Sequence, residues 1–461
     1  MRILRVLIRL ILISAFVVVT AGIVLVQFFG LRVELGGTGM TPVFSFHDPD
    51  GHYEAIEEAR QAQGDTAEAA APSASGGVYW TDFRGPNRDG IYAEAPLTEA
   101  WPENGPEEIW RQKIGGGYAS VVVAEGRVFT IEQRRDNEVV AAYDAATGRQ
   151  LWEHGWPARF SERLGGDGPR ATPTWHEGRL YALGAAGELR CLDAASGEKI
   201  WSKNILADND ASNLTWGVSG APLIVDDALI VTPGGRNGNS IVAYHKATGE
   251  TLWRSQSDKQ GYASPVLGEL AGRRQILVFS GNRLKGLAPE DGALLWEHPW
   301  ETSNDINSAQ PVFVDADHVW VSSAYGHGAA LLKISAIDGD FRAEKLWEKN
   351  TMKAKFNPVV LYQDHIYGLD DGILACIDVR SGQRKWKGGR YGFGQLLLAG
   401  SNLILISEQG ELVLIKATPE SHQELASFQA LEGKTWNNPA IADQRLIVRN
   451  QTEMAAYDLA P

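Results

Sequence analysis

The sequence contains little cysteine, methionine or basic charge, and each shortage argues against a class of protein. Two cysteines in 461 residues cannot form the disulfide framework of a small secreted scaffold. Four methionines beside 50 glycines and 15 tryptophans disfavour a helical bundle. The 43 Lys and Arg residues are outnumbered by 57 Asp and Glu residues, which gives a formal charge of −14. We therefore expect no nucleic-acid partner, because binding to phosphates needs clustered cations.

One long apolar run is present near the N-terminus. Residues 10–29 contain Gln27 as their only strongly polar side chain and are long enough to cross a bilayer. More basic residues precede this run than follow it closely, with Arg2, Arg5 and Arg9 before it and Arg32 after it. The positive-inside rule then predicts a cytoplasmic stub and transmembrane anchor over residues 1–30, with the rest of the chain in the periplasm.

A cleaved signal peptide is the alternative interpretation of this run. Val19-Thr20-Ala21 has the small residues that a cleavage site requires. The apolar run continues for eight residues beyond Ala21, and no lipid-acceptor cysteine follows it, so we favour an uncleaved anchor in the inner membrane. Cleavage would instead give a secreted periplasmic protein.

Residues 31–78 are predicted to form a flexible, partly helical linker. Residues 50–63 have helical composition, and the low-complexity stretch 67–77 reads AEAAAPSASGG. Small residues and proline without apolar periodicity cannot bury enough surface to fold. We interpret the linker as a spacer that separates a folded body from the membrane.

A repeat runs through everything after residue 115. Its clearest copies are AYDAATGRQLW, CLDAASGEKIW, AYHKATGETLW and CIDVRSGQRKW, which begin at Ala142, Cys191, Ala243 and Cys376. Related tryptophans lie at positions 110, 152, 201, 253, 296, 347 and 386, a spacing of about 40 to 50 residues that is typical of one propeller blade. The Ser/Thr-Gly pair suits a tight hairpin, and the tryptophan supplies a large apolar ring on the returning strand.

Two short strands are predicted before each motif, so each repeat supplies four strands. The last of the eight copies is incomplete, since it stops after Asp458 and before any tryptophan strand. Residues 107–112 carry Trp110 but have no inner strands before them. We therefore predict an all-β, eight-bladed propeller over residues 79–461 that the 107–112 strand closes, which leaves no exposed edge.

The repeated A-x-D-x-x-[ST]-G-x-x-x-W pattern resembles the tryptophan-docking motif of the pyrroloquinoline-quinone (PQQ) repeat superfamily. That superfamily includes quinoprotein alcohol dehydrogenases and the outer-membrane assembly lipoprotein BamB. The resemblance covers residues 80–461, and the segment WTDFRGPNRDG at 80–90 also looks like the opening of exported or membrane-anchored PQQ-like propellers. It implies the fold more strongly than it implies a function.

A quinoprotein dehydrogenase, as the resemblance implies, holds PQQ between a tryptophan and a disulfide of adjacent cysteines, with a Ca²⁺ ion and an aspartate base. This sequence has no adjacent cysteines. Cys191 and Cys376 occupy the same motif position in the second and sixth repeats, so they are predicted to lie on opposite sides of the ring as buried thiols. We expect no cofactor, with PQQ and Ca²⁺ as the alternative.

Metal sites are not predicted elsewhere. The ten histidines are scattered, without a His-x-His or His-Glu-x-x-His pair. Oxygen donors do cluster in one segment, at Asp208, Asn209, Asp210, Ser212 and Asn213. These are donors that Ca²⁺ accepts, but the glycine and the bidentate glutamate of an EF-hand loop are missing there. We therefore interpret the segment as a solvated loop between blades, with a Ca²⁺ site as the alternative.

The best place for a ligand is the mouth of the central channel, just before each innermost strand. Alignment on the recurring prolines places these residues at the third preceding position: Tyr118, Arg170, Ser219, Tyr262, Ser308, Lys355 and Trp436. Trp216 and Asn307 lie close by in the sequence. Two cations among aromatic side chains suit an anionic planar ligand such as a quinone carboxylate. The alternative is a polar, water-facing rim of the kind that any propeller needs.

The preferred functional interpretation is a non-catalytic, membrane-anchored propeller in the periplasm that binds protein partners of the cell envelope. A membrane anchor with a spacer suits a protein that extends towards a partner better than an enzyme that turns over soluble substrates. Propellers also offer wide rigid surfaces for binding. The alternative is a PQQ-dependent oxidoreductase of the alcohol dehydrogenase type. Such an enzyme needs cation ligands and an aspartate base at the channel mouth, and the sequence shows neither at a recognisable spacing.

Overall fold

Eight β-sheets follow one another along the chain and form a closed ring, which confirms the predicted eight-bladed propeller. The computed structural model describes residues 2–28, 30–35, 37, 42–46, 49–63 and 79–461. The predicted low-complexity stretch 67–77 lies outside these residues.

The N-terminal part contains two helices and a two-stranded hairpin: α1 (Arg2–Phe28), β1 (Leu31–Leu35), β2 (Pro42–Phe46) and α2 (Pro49–Ala62). Two short strands precede the first blade, β3 (Ile91–Tyr92) and β4 (Glu108–Lys113). The apolar part of α1, Leu7–Val26, has a mean hydropathy of 2.6, and none of it is buried by the described residues. It is therefore an exposed apolar helix of membrane-spanning length.

The first four blades are built from consecutive strands. Blade 1 contains β5 (Val122–Ala124), β6 (Arg127–Arg134), β7 (Asn137–Asp144) and β8 (Gln150–Pro157), and the short hairpin β9 (Ser161–Glu162) and β10 (Gly166–Asp167) follows it. Blade 2 contains β11 (Thr174–His176), β12 (Arg179–Leu183), β13 (Glu188–Asp193) and β14 (Lys199–Asn204). Blade 3 contains β15 (Leu223–Val225), β16 (Ala228–Val231), β17 (Ile241–His245) and β18 (Thr251–Ser255). Blade 4 contains β19 (Val266–Leu270), β20 (Arg273–Phe279), β21 (Arg283–Leu287) and β22 (Leu294–Pro299).

The remaining blades continue in the same way. Blade 5 contains β23 (Val312–Phe313), β24 (His318–Ser323), β25 (Gly328–Ile337) and β26 (Asp340–Lys349). Blade 6 contains β27 (Val360–Tyr362), β28 (His365–Asp370), β29 (Ile373–Asp378) and β30 (Arg384–Arg390). Blade 7 contains β31 (Gln395–Ala399), β32 (Asn402–Ile406), β33 (Glu411–Lys416) and β34 (Glu424–Gln429). Blade 8 contains β35 (Ala440–Ala442), β36 (Arg445–Arg449) and β37 (Glu453–Asp458), with β4 as its outer strand. Short 3₁₀ turns occur at Ala207–Asn209 and Ser303–Asp305.

The repeated motif forms the turn between the third and fourth strands of a blade. In blade 1, Asp144 Oδ1 accepts hydrogen bonds from the backbone N–H groups of Ala146 (3.0 Å) and Thr147 (2.8 Å). Gly148 follows with φ +71°, a left-handed conformation that favours glycine. A Cβ atom at Gly148 would lie 2.6 Å from the ring of Trp110, so this turn also needs glycine to admit a tryptophan from the preceding blade.

Six of the seven docking tryptophans donate a hydrogen bond to the next blade in this way. Trp110 donates from Nε1 to the carbonyl of Ala145 at 3.0 Å. Corresponding bonds join Trp152 to Ala194, Trp201 to Lys246, Trp253 to Pro289, Trp347 to Val379 and Trp386 to Thr418. Trp296 differs, because its Nε1 donates to Gln275 Oε1 (2.6 Å) within its own blade. The next blade has a long hairpin of two ten-residue strands, β25 and β26, instead of the short motif turn.

The ring closes between the two ends of the propeller chain. Strand β4 pairs antiparallel with β37, and Trp110 lies opposite Ala456 in the register. A single sheet therefore contains strands more than 300 residues apart in sequence. The observed strand begins and ends one residue later than the 107–112 range expected from the sequence.

The segment between residues 79 and 92 enters the central channel. Trp80 forms an isolated β-bridge with Val123, near the end of the innermost strand β5. Strand β3 pairs in parallel with the end of β31, the innermost strand of blade 7. Innermost strands begin at the channel mouth, so both contacts lie towards the opposite end, here called the lower face. Between them, Arg84 and Arg88 extend into the channel and are buried. We name residues 80–92 the plug.

Helix α2 packs along the outside of blade 1. His52 Nε2 lies 2.9 Å from the carbonyl oxygen of Ile114, and Ile56 is buried. Arg60 pairs with Glu153 at 2.5 Å, and Arg135 pairs with Asp50 at 2.9 Å. The helix predicted from the composition of residues 50–63 is thus present, but it is attached to the propeller and does not act as a free spacer.

Candidate functional site

A cavity of about 380 Å³ occupies the mouth of the central channel. The plug forms its floor, because the side chain of Phe83 lines the cavity from below. Aromatic residues from the ring form most of its wall: Tyr118, Trp216, Tyr262, Tyr325, Phe356, Phe393 and Trp436. Gly37 of the N-terminal hairpin lies at the opening, where a Cβ atom would be 2.5 Å from the ring of Trp436.

The aromatic rings of the wall are tilted against one another. Tyr118 and Trp436 have ring centroids 5.0 Å apart at 33°, and Phe356 and Trp436 have centroids 4.9 Å apart at 52°. Trp216 and Tyr262 are 5.6 Å apart at 58°. Tilted and edge-to-face arrangements are the favourable ones for aromatic quadrupoles, so neighbouring rings of the wall stabilise one another. Burial raises the pKa of Tyr262 to about 12, which keeps its hydroxyl neutral.

Arg170 lies at the wall but is engaged by its own loop. Its guanidinium donates to the carbonyl oxygens of Gly166 (2.9 Å) and Gly168. It also lies 4.5 Å from the ring centroid of Phe160 and 3.5 Å from Glu162 Oε1. Burial lowers the pKa of Arg170 from its usual value. The residue therefore holds the loop of β9 and β10 against the mouth.

Lys355 is the more open cation. Its Nζ atom lies 3.8 Å above the ring centroid of Phe393 and 3.9 Å from Asp371 Oδ1. Asp371 is bound more closely by Lys353, at 2.8 Å. Burial lowers the pKa of Lys355, and the charge of Asp371 opposes that shift. An ammonium group with one distant carboxylate and an aromatic face can still donate hydrogen bonds to a ligand.

Glu162 lines the cavity and Glu408 contacts Trp436 of its wall, and both carboxylates already accept hydrogen bonds from the protein. Glu162 accepts from the backbone N–H groups of Leu164 (2.8 Å) and Gly165. Glu408 accepts from Trp436 Nε1 at 2.9 Å. Both carboxylates are therefore already engaged by donor groups of the protein.

The structure brings together most of the residues that the sequence placed at the mouth. Those that line the cavity are Tyr118, Arg170, Trp216, Ser219, Tyr262, Ser308, Lys355 and Trp436. Asn307 does not line it. The Asn307 side chain is fully buried, donates to the carbonyl oxygens of Ser280 and Gly281 at 3.0 Å each, and accepts from Ser323 Oγ at 2.7 Å. Its amide stabilises the join between blades 4 and 5.

Sequence reasoning missed four aromatic residues of the wall and floor. Phe393 takes the same position in blade 7 that Lys355 takes in blade 6, but the alignment relied on prolines, and blade 7 has Leu396 where six of the blades have proline. Phe356 follows Lys355 directly, and Tyr325 lies in a glycine-rich turn with φ +59°. Phe83 comes from the plug, whose position in the channel no local pattern reveals.

The arginines of the plug were also missed as structural elements of the site. Arg88 donates to the carbonyl oxygens of Pro222 and, at 2.8 Å, Pro265, and pairs with Asp82 at 2.6 Å. Arg84 donates to the carbonyl of Val359 at 2.6 Å. Burial raises the pKa of Asp82, and the Arg88 guanidinium opposes that rise. The sequence signal that could have identified the plug is a pair of arginines among glycine and proline, outside any strand pattern.

The residues present do not fit the PQQ sandwich that the superfamily resemblance implies. Cys191 and Cys376 are free and buried in blades 2 and 6, as predicted, and burial raises the pKa of each thiol to about 12. Neither lines the cavity, so no disulfide can form one face of a sandwich there. The tilted wall also lacks a second parallel aromatic face.

The loop at 208–213 is a structural element. Asn209 is buried, and its Nδ2 donates to the carbonyl of Ile205 and to Tyr244 Oη at 2.9 Å each. The prediction of a solvated loop is therefore wrong for Asn209. Asp208 pairs with Lys203 at 3.4 Å. Among the described residues, no group of three or more His, Cys, Asp or Glu side chains is placed to hold a metal ion.

The chain is similar to known proteins over most of the propeller. It matches the protein family described as outer membrane protein assembly factor BamB over residues 94–215 and 135–388. A relative from Shewanella oneidensis with that name is 22% identical over 338 residues, which cover 68% of this chain and 80% of the relative. A quinohemoprotein alcohol dehydrogenase of Pseudomonas putida is 28% identical over 154 residues, which cover 32% of this chain and 20% of that enzyme.

A solved structure supports the same fold. The crystal structure of BamB from Moraxella catarrhalis aligns with a TM-score of 0.56 at 14% identity and covers 76% of this chain and 97% of that protein. At this identity the likeness concerns the fold alone. The family match, by contrast, extends over more than half of the sequence. The protein therefore belongs to the PQQ-like repeat family described as outer membrane protein assembly factor BamB.

Proposed function

We propose that the protein is a membrane-anchored propeller that binds protein partners of the cell envelope from the periplasmic side. The observation that carries this proposal is the extent of the similarity: the assembly-factor relative is matched over 80% of its length, whereas the dehydrogenase is matched over 20%. The shared part is the propeller, so the property most readily transferred is its binding surface.

The N-terminal contacts support a particular orientation. Helix α1 ends at Phe28 and β1 begins at Leu31, so the apolar helix leads almost directly into the hairpin whose Gly37 lies at the cavity opening. Helix α2 then pairs through Asp50 with Arg135, in a turn between β6 and β7 on the same face as the mouth. If α1 spans the inner membrane, the mouth faces the bilayer and the lower face points into the periplasm.

The proposed partner surface is therefore the lower face and the rim. Site-specific photo-cross-linkers at Ala146 and Ala195, exposed in the lower-face turns of blades 1 and 2, test it in intact cells, with Arg236 in a mouth-face turn as the matched control. We expect adducts with outer-membrane assembly proteins from the first two positions and few from Arg236. Adducts from Arg236 alone would reverse the orientation, and no adduct with an envelope protein at any position would contradict the scaffold.

A PQQ-dependent oxidoreductase is the second candidate, favoured by the partial match to the dehydrogenase and by the aromatic cavity at the channel mouth. Purified full-length protein, incubated with PQQ and Ca²⁺, is assayed for dye-linked alcohol oxidation. We expect no turnover, because neither cysteine lines the cavity, so the described residues supply no disulfide face for the sandwich. Turnover that is lost in Lys355→Met would establish the enzyme instead.

Anchoring has its own test. We expect the mature protein to retain its first residues and to resist extraction from membranes by alkaline carbonate, because about twenty apolar residues suffice to span a bilayer. A mature chain that begins at Gly22 and is freely extracted would show that the segment is a cleaved signal peptide.

A further inference from the structure

The cavity at the channel mouth is built as a closed-ended site. Phe83 of the plug forms the floor, and the plug arginines bind backbone carbonyl groups at the starts of the innermost strands, so the floor is firmly attached. The volume of 380 Å³ falls within the range of about 300 to 1,000 Å³ that small-molecule sites occupy. A ligand would enter from the mouth and stop at Phe83.

The charge at the site points to an anionic group on that ligand. Lys355 lines the cavity and makes no hydrogen bond to any residue that the structure describes. Its Nζ atom is 3.9 Å from Asp371, which is already paired with Lys353 at 2.8 Å. The other cation of the wall, Arg170, is engaged by the carbonyl oxygens of its own loop. Glu162, the carboxylate that lines the cavity, is engaged by the backbone N–H of Leu164 and by Arg170. Among the described residues that line this mainly aromatic cavity, the ammonium group of Lys355 therefore remains available.

The inclination of the aromatic rings indicates the chemistry of the uncharged part of the ligand. Neighbouring rings are inclined by 33° for Tyr118 and Trp436, by 52° for Phe356 and Trp436 and by 69° for Phe356 and Phe393. A planar ligand is held most firmly between two parallel faces, and these three ring pairs are not parallel. A flexible aliphatic chain can follow such a surface and gains the free energy of burying each methylene group.

We propose that the cavity binds an amphipathic anion, with its carboxylate or phosphate on Lys355 and its aliphatic chain among the aromatic side chains down to Phe83. This chemistry is shared by free fatty acids and by the acyl lipids of a membrane. Only the supply route rests on the proposed function: an anchored propeller whose mouth faces the bilayer would take the ligand from it.

The test uses the full-length protein in phosphatidylcholine nanodiscs and 12-bromododecanoate, whose bromine quenches the fluorescence of nearby tryptophans such as Trp216 and Trp436. Binding is compared between the parent, Lys355→Met and Lys259→Met. Lys259 is an exposed lysine that lies outside the cavity and pairs with Asp305, so it controls for general charge. Partitioning of the probe into the nanodisc is the same for all three proteins and cancels in the comparison.

We expect Lys355→Met to weaken binding of the anion about tenfold or more, since a hydrogen bond to a charged group is lost. Lys259→Met should bind as the parent does, and 12-bromododecanol, which has no charge, should show little difference between the three proteins. Equal binding of the anion by the parent and Lys355→Met would overturn the proposal. So would equally tight binding of a bromoalkyl trimethylammonium, whose cation Lys355 would repel.

A second set of nanodiscs distinguishes the sources of the ligand. If anionic phospholipid reaches the cavity, phosphatidylglycerol in the nanodisc competes with 12-bromododecanoate and weakens its apparent binding, and Lys355→Met removes the competition. If the apparent affinity is unchanged, the site takes free amphipathic acids. Failure of the anchor is separable, because a cleaved protein would still bind the probe in solution but would be extracted by carbonate.

Discussion

Two buried arginines of the plug, Arg84 and Arg88, fix its position in the central channel. Arg88 bridges the carbonyl oxygens of Pro222 and Pro265 on blades 3 and 4, and it neutralises the buried carboxylate of Asp82. Arg84 and Arg88 both have left-handed backbone angles, with φ of +64° and +58°. Such angles cost roughly 1 kcal/mol or more each, so the side-chain contacts must compensate for them.

We expect Arg88→Met to destabilise the propeller by about 3 to 5 kcal/mol, because it leaves Asp82 buried without its partner. The measurement is the midpoint of thermal unfolding, followed by circular dichroism. Arg342→Met, at an exposed position of β26, is the control and should change stability by no more than about 0.5 kcal/mol. Similar midpoints for the two variants would mean that the plug does not depend on this ion pair.

Glu138 provides a pH-dependent contribution to stability. Its side chain is buried, its Oε1 accepts from the backbone N–H of Ala185 at 2.8 Å, and burial raises its pKa to about 7. The pKa of Glu138 is higher in the folded state than in the unfolded state, so protonation of Glu138 stabilises the folded protein. This contribution is complete below the unfolded pKa of about 4.3 and is lost as the pH rises through 7.

The Glu138→Gln variant should therefore gain stability relative to the parent between pH 5 and pH 8, by at most about 3 kcal/mol. Glutamine keeps the carbonyl oxygen that accepts from Ala185 and carries no charge. Urea unfolding of both proteins at several pH values measures the difference. Parallel stability profiles over this range would show that the carboxyl group is not the titrating residue.

At the scale of the element, the docking of a tryptophan on the next turn joins neighbouring blades. Gly148 and Gly178 permit a matched comparison, because both have left-handed φ values, +71° and +73°. A Cβ atom at Gly148 would lie 2.6 Å from the ring of Trp110, whereas a Cβ atom at Gly178 would meet nothing within 4 Å among the described residues.

Both Gly148→Ala and Gly178→Ala should lose about 1 to 2 kcal/mol through the left-handed backbone. Gly148→Ala should lose a further 1 to 3 kcal/mol, because it also displaces the indole ring. Unfolding free energies in urea measure the two costs under identical conditions. Equal losses would mean that the close approach of Trp110 contributes nothing to the junction between blades 8 and 1.

For the whole molecule, the repeats and the ring could be predicted from the sequence, whereas the plug and part of the cavity wall could not. The docking motif is local, so the positions of Trp110 and Gly148 could be recognised without knowing the ring. The mouth residues followed from an alignment on prolines, which omitted blade 7 and therefore Phe393. The plug and Phe83 could not be predicted, because Arg84 and Arg88 of the plug alone contact five different blades and no local periodicity encodes such contacts.

Closure of the ring is the property that involves the whole molecule. Strand β4 supplies the outer strand of blade 8, and Trp110 carries the docking contact from that blade to blade 1. Trp110→Ala keeps the strand but loses the ring, so we expect a loss of about 3 to 5 kcal/mol. Deletion of residues 101–114 should do more, because it exposes the edge of β37 and leaves a row of unpaired backbone groups that invites aggregation.

The two variants should therefore form a graded series in thermal unfolding monitored together with light scattering. The parent should melt highest, Trp110→Ala lower and as a soluble protein, and the deletion variant lowest and with aggregation. Trp386 makes the same kind of contact between blades 6 and 7, so Trp386→Ala controls for the loss of one docked ring away from the closure. A deletion variant that melts within a degree or two of the parent would rule out closure by β4.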